Sequence, residues 1–358
     1  MIPPDAHASA RRRPRTGFLV AAFLLTALSP RGLGAQEARP DSVVSLQELV
    51  VSATRAEAVV GEVPMNVTVL TGEQLRLSAA ETLQDVLQEV PGLNFRFPFP
   101  AAVAHPSWQA VTLRGLGGTA ASRTLVLVDG VPLNDPYVGW VRWSQIPVEV
   151  IERVEVVRGG ATVSWGGQSL AGVVHVITRS PSRPGFSAAA QGGSLSTFRG
   201  DAMGAFGGGR VSGYVAGELF DSDGYVIQRE DQRGAIDIPS ASTHGALRGK
   251  IEIVASDRLT LHAHGNYFDQ DKDNATPLRN NTTQAGFGRI GVTLRPGDGS
   301  TLRLDGYFQA QSYVNSFSSP DATRDSEEPS ISQDVPSDGL GASLLWERPV
   351  GDRHALAL

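Results

Sequence analysis

The chain has 358 residues, a formal net charge of −6 and no cysteine. Those figures exclude a disulfide scaffold, a cysteine zinc site and thiol catalysis, and they argue against a nucleic-acid binder, which needs a basic surface. No apolar run reaches the ~20 residues of a membrane helix, which excludes a helical membrane protein and leaves a membrane β-barrel open.

In chain order, Arg11-Arg12-Arg13-Pro14-Arg15 precedes an apolar stretch at 18–28 and the small residues Gly32, Gly34 and Ala35. A basic, then apolar, then small-residue order is that of a secretory signal, with cleavage expected after Ala35. Residues 36–63 are polar around one apolar island, 46–53, and read as a flexible arm. Residues 64–182 read as an α+β domain. A strand is predicted over 66–70, and capping-box spacings follow at Thr71 with Gln74 and Ser78 with Glu81. Leu83, Val86, Leu87 and Val90 make a helical stripe that Pro91-Gly92 ends. Further strands are predicted over 111–114, 125–128, 154–157 and 173–178, with a tight turn at Asp129-Gly130.

From residue 186 onward the pattern alternates with period two. Leu302, Leu304, Gly306, Phe308 and Ala310 fall on one face of a strand, and Arg303, Asp305, Tyr307, Gln309 and Gln311 on the other. Leu259, Leu261, Ala263, Gly265 and Tyr267 repeat this against His262 and His264. Such strands fit a membrane barrel with a wet lumen or a sandwich with one solvated face. Short connections at 207–210, 255–257 and 295–300 alternate with long polar ones at 221–244, 269–285 and 312–339. That asymmetry suits an outer-membrane barrel, with short periplasmic turns and long external loops. Eight strands are expected, with the start of a ninth at 353–358.

Several strings then occur in order. They are Glu48-Leu49-Val50-Val51-Ser52-Ala53-Thr54-Arg55, Leu87-Gln88-Glu89-Val90-Pro91-Gly92-Leu93 and Val111-Thr112-Leu113-Arg114-Gly115-Leu116-Gly117. Next come Thr124-Leu125-Val126-Leu127-Val128-Asp129-Gly130-Val131-Pro132-Leu133-Asn134 and Ile151-Glu152-Arg153-Val154-Glu155-Val156-Val157-Arg158-Gly159, followed by 171–178. The set resembles the TonB-dependent outer-membrane receptors, most of all those for cobalamin and ferric siderophores. It covers 48–180 motif by motif and 186–358 by pattern. The resemblance implies an α+β plug domain followed by an antiparallel transmembrane β-barrel, here with about 8–9 of the family's 22 strands. An open sheet in lipid leaves its edge groups unpaired at several kcal/mol each, so a longer protein is expected. Gly159-Gly160 departs from the family's usual Gly-Pro.

The resemblance also implies partners and sites. Glu48, Leu49, Val50, Val51, Ser52 and Ala53 would be the TonB box, adding as a strand to the sheet edge of TonB. An ordinary plug strand is the alternative. An iron chelate, a corrinoid or a similar small molecule would be the ligand. It would meet plug apices at 97–108, 117–122 and 134–140, where Phe97, Phe99, Trp108, Asn134, Tyr137 and Trp140 are candidates; plain packing is the alternative. Arg114, Glu152, Arg153, Glu155 and Arg158 could lock the plug to the barrel wall or form a solvated face. No cofactor is expected. Asp269, Asp271, Asp273 and Asn274 lack the turn glycine and distal glutamate of a calcium loop, and His262 with His264 reads as lumen lining rather than a metal pair. No nucleophile–base pair supports an enzyme, so an energised importer stands against a barrel without energy coupling.

Overall fold

The computed structural model describes residues 49–50, 58–59, 65–78, 82–95, 97, 99–116, 123–180, 183–350 and 354–357. The expected signal segment, Glu48, Val51, Ser52 and Ala53 of the arm, and the apex at 117–122 lie outside the described residues.

Two short strands come first, β1 (Leu49–Val50) and β2 (Ala58–Val59), paired antiparallel with Leu49 opposite Val59. The plug follows. Strand β3 (Asn66–Thr71) leads into helix α1 (Gly72–Leu77), where Thr71 and Gln74 form the expected capping box. The second box is displaced. Ser78 closes α1 by donating its hydroxyl to the Leu75 carbonyl, and Thr82 with Asp85 opens α2 (Leu83–Leu87). Either spacing satisfies the same orphan N–H groups, and the four-residue apolar stripe fixes which is used. Leu83, Val86, Leu87 and Val90 are all buried.

Strands β4 (Leu93–Phe95) and β5 (Val111–Leu113) pair with each other. The main plug sheet adds β6 (Thr124–Val128), β7 (Val131–Pro132), β8 (Ile151–Arg158) and β9 (Gly172–Thr178), with the short helix α3 (Thr162–Trp165) between the last two. Its order is β3-β8-β9-β6-β7, parallel only between β6 and β9. Asp129 (φ 47°) and Gly130 (φ 83°) turn β6 into β7. Positive φ at both central residues is the two-residue hairpin that Asp-Gly favours. Gly172 (φ +142°) is needed where β9 starts, because a Cβ there would lie 2.2 Å from the Val157 carbonyl oxygen.

Nine further strands form one antiparallel sheet in sequence order, the wall. They are β10 (Gly185–Gly192), β11 (Phe198–Gly208), β12 (Val211–Ser222), β13 (Ser242–Ser256), β14 (Leu259–Thr276), β15 (Arg279–Leu294), β16 (Thr301–Pro320), β17 (Glu327–Val350) and β18 (His354–Ala357). The expected eight strands and the start of a ninth match this order. Two expected long loops do not. Residues 269–285 and 312–339 are mostly strand, as in the pairs Asp271 with Thr282 and Asn281 with Asn315. One face there is buried, through Lys272, Asn281, Thr283 and Asn315, and the other is exposed, while the backbone ladder simply continues. The connection 223–241 is a long one.

Leu247, Leu261, Ile290, Leu304, Phe308 and Leu340 stay exposed on the outer face of the wall. Its inner face meets the plug, and the core is shared. Leu83, Leu87, Val126, Trp143, Val154, Val156, Val174 and Val176 pack in one cluster with Met203, Tyr214, Ala216 and Phe287 of the wall.

Candidate functional site

Three of the polar anchors that join plug to wall begin at plug turns or loops, and a smaller one runs from Ser187 Oγ to Glu149 Oε1 at 3.2 Å. The first is the Asp129-Gly130 turn. Thr178, at the end of β9, donates its N–H to Asp129 Oδ1 (2.9 Å) and its hydroxyl to Oδ2 (2.6 Å). From the wall, Arg248 Nη2 donates to Oδ2 at 2.9 Å and His264 Nδ1 lies 3.1 Å from it. Lys250 Nζ stands 3.9 Å from Oδ1 and donates to the Thr178 carbonyl at 3.2 Å. Arg289 donates to the Asp129 backbone carbonyl. One carboxylate therefore meets basic side chains from β13 and β14, and its carbonyl meets one from β15. Burial opposes ionisation of Asp129, but Lys250, His264 and Arg248 outweigh it and hold the carboxyl well below the usual range.

The second anchor is the loop 134–142. Asp135 Oδ1 accepts the N–H groups of Tyr137 (2.7 Å) and Val138 (3.1 Å). Its Oδ2 accepts from Arg142 Nη1 (3.1 Å) and from Gln311 of the wall (2.7 Å). Arg142 also donates to Gln311 Oε1 (2.6 Å) and Thr283 Oγ1 (3.3 Å) and lies over the Tyr313 ring, 5.2 Å from its centroid. The third anchor is the segment 100–109. Lys272 of β14 donates to the carbonyls of Ala101 and, at 2.9 Å, Ala104. His105 Nε2 faces Asn315 Oδ1 at 3.3 Å.

The sequence-derived candidates separate on this frame. Phe97 and Phe99 pack at a tilt against Trp108, with centroids 5.1 and 5.5 Å from it, and Trp140 stands edge-on to Tyr313 at 6.0 Å. Asn134 is buried and braces the loop: its Oδ1 accepts from the Val126 N–H (2.7 Å), and its Nδ2 donates to the Gly139 carbonyl (3.1 Å). Tyr137, 63% exposed, presents a free aromatic face. Among the charged candidates, Arg153 bridges Glu155 (2.8 Å) and Glu152 (3.3 Å), and Arg158 donates to Asn66 and to Thr68 (2.6 Å). These bonds tie β8 within the plug. Arg114, at φ 54°, is exposed beside the β4–β5 pair. His262 and His264 take different carboxylates, Asp305 at 2.7 Å and Asp129 at 3.1 Å.

Among the anchoring residues Asp129 is marked only as a turn residue within one of the ordered strings, and Asp135, Arg142, Arg248 and Lys272 have no motif to mark them. The pairs that these residues make from plug to wall span more than 100 residues and leave no local signal.

Residues 59–173 match the TonB-dependent Receptor Plug Domain family. The chain is 36% identical over 159 residues to the vitamin B12 transporter BtuB of Vibrio vulnificus (strain CMCP6), covering 44% of this chain and 24% of that protein. It is 27% identical over 309 residues to the BtuB of Photobacterium profundum, covering 85% of this chain and 42% of that one. The siderophore receptor PirA from Acinetobacter baumannii shares the fold with a TM-score of 0.65 at 18% identity, over 81% of this chain and 46% of PirA. A ferric enterobactin receptor (PfeA) mutant from Pseudomonas aeruginosa does so with a TM-score of 0.61 at 16% identity, over 81% and 47%. The chain thus spans less than half the length of the relatives it matches, and these relatives are transporters and receptors. Plug motifs in order, a plug sheet seated on a wall of long antiparallel strands, and these likenesses identify residues 59–173 as a TonB-dependent receptor plug domain and make the chain similar to the TonB-dependent receptors.

Proposed function

We propose that the protein imports a scarce nutrient across the outer membrane, with energy delivered by TonB and its inner-membrane motor. The observation that carries this is the plug held on the wall by polar anchors: a passive pore needs no plug, and an enzyme would need a reactive pair. In this reading 1–35 is the signal peptide, 36–63 the periplasmic arm, 64–182 the plug and 183–358 barrel wall. The short-turn end of the wall faces the periplasm. The ligand is an iron chelate, a corrinoid or a similar small molecule, consistent with what the relatives' names state. It approaches from the opposite end, where Tyr137 presents its ring.

The arm from Glu48 to Ala53 docks TonB by strand addition. Leu49 and Val50 already have extended, ladder-forming backbone, and proline at such a position removes a donor and narrows φ. Val50→Pro in the receptor as expressed in cells is expected to abolish energised uptake and leave surface binding nearly unchanged. Radiolabelled cyanocobalamin and ferric citrate serve as probes, scored separately for binding and accumulation. Accumulation that persists in the variant would point to a barrel without energy coupling.

A further inference from the structure

The Asp129 clasp has two halves. Thr178 belongs to the plug and travels with it. Arg248, Lys250 and His264 belong to the wall and stay. Arg248 has a fully buried side chain, and only one of its terminal nitrogens reaches Asp129; Nη1 is buried without a hydrogen-bond partner among the described residues. His264 Nε2 is likewise buried and unpartnered there, on a side chain 3% exposed. The wall therefore offers more donors than the plug carboxylate uses. Arg248 is held by Tyr214, whose hydroxyl accepts from its Nε at 3.2 Å, and its guanidinium lies 5.3 Å from the Phe287 ring centroid. Arg289 is partly neutralised by Asp305 at 2.7 Å, whereas among the described residues the carboxylate set against Arg248 is that of Asp129. Beside the clasp runs a cavity of about 710 Å³, lined in part by Asp129, Lys250, His264 and Arg289.

We propose that the wall carries an anion-binding site of its own, built from Arg248, Lys250 and His264, which takes carboxylate or phosphate groups and which Asp129 of the plug fills at rest. Uncovering it by plug movement would leave clustered cations facing the lumen, and charge-assisted bonds to an anion relieve that. A carboxylate-bearing solute passing the plug then competes with Asp129 for the same three side chains. This second step rests on the import reading; the site itself does not.

The test separates the two. Asp129→Ala removes the resident carboxylate and leaves the wall unchanged. In detergent-purified protein, acetate at millimolar concentration is expected to raise the melting temperature of Asp129→Ala, with chloride at equal ionic strength as the control. Wild type and Asp129→Asn, whose side chains still fill the site, are expected not to respond. Adding Arg248→Met to Asp129→Ala should weaken acetate binding about tenfold, the effect of losing one charged hydrogen bond. Equal shifts in acetate and chloride, or acetate binding that is indifferent to Arg248, would overturn the site. If Asp129→Ala does not fold in chloride, refolding in acetate replaces the melt, and failure there as well counts against it. None of these readings depends on transport, so a failure of import would leave the site standing.

Discussion

His175 and His105 are bases held neutral by their surroundings. His175 Nε2 accepts the N–H of Gly130 at 3.1 Å, so that nitrogen has no room for a proton. Burial lowers its pKa from 6.5 to about 4, against the pull of Glu155 and Asp129. His105 Nδ1 accepts the Ser107 N–H at 3.2 Å, and burial brings this group to about 4 as well. A histidine whose pKa falls on folding binds more protons when unfolded, so stability rises with pH between the two values. The plug is therefore expected to weaken as pH falls from about 6.5 to about 4, by up to ~3 kcal/mol for each histidine. Asp129 behaves differently. Its depressed pKa keeps its contribution intact throughout that window, to be lost only at lower pH. Urea melts at pH 7.5, 5.5 and 4.5 check this, and His175→Gln should flatten the slope. A slope unchanged by both His175→Gln and His105→Gln would contradict the assignment.

At the scale of elements, strand β16 shows what alternation encodes. Leu304 is 53% exposed on the outer face, while its neighbour Arg303 turns inward to Glu347 at 3.6 Å. With lipid outside, Leu304→Arg should cost ~2–4 kcal/mol near the bilayer midplane. Arg303→Leu, losing one partly exposed ion pair, should cost at most ~1 kcal/mol. Folding yield into lipid vesicles, read by gel mobility with and without heating, distinguishes them; equal losses would mean that the outer face is not lipid-facing. The face assignment was legible because period two survives every substitution that keeps polarity. Strand ends were not legible. Asp271, Asn281 and Asn315 look like loop residues, yet their backbones remain paired, since side-chain polarity does not report main-chain hydrogen bonding. The start of α2 was ambiguous for a similar reason: Ser78 and Thr82 both precede an acid by three residues, and only packing chooses between them.

Across the whole molecule, the plug owns most of its core but borrows its margins. Trp143 is fully buried, stands 5.4 Å edge-on to Phe95 and donates its indole N–H to the Gln109 carbonyl, all within the plug. The two capped helices and the main plug sheet close around it. Residues 64–182 expressed alone are therefore expected to stay soluble and melt cooperatively in urea, followed by tryptophan fluorescence. Their stability should fall short of the same segment on its wall. Met203, Tyr214, Ala216 and Phe287 would no longer cover the core, and Asp129 and Asp135 would exchange fixed cations and amides for water. The deficit is about 2–4 kcal/mol from the apolar area uncovered, with a smaller contribution from the anchors, because exposed carboxylates are readily hydrated. Salt should change the melt of the isolated segment little, since the wall cations that make Asp129 salt-sensitive are gone. A gradual melt with bound ANS would show that the wall is required to order the plug core, and the two would then have to fold as a single unit.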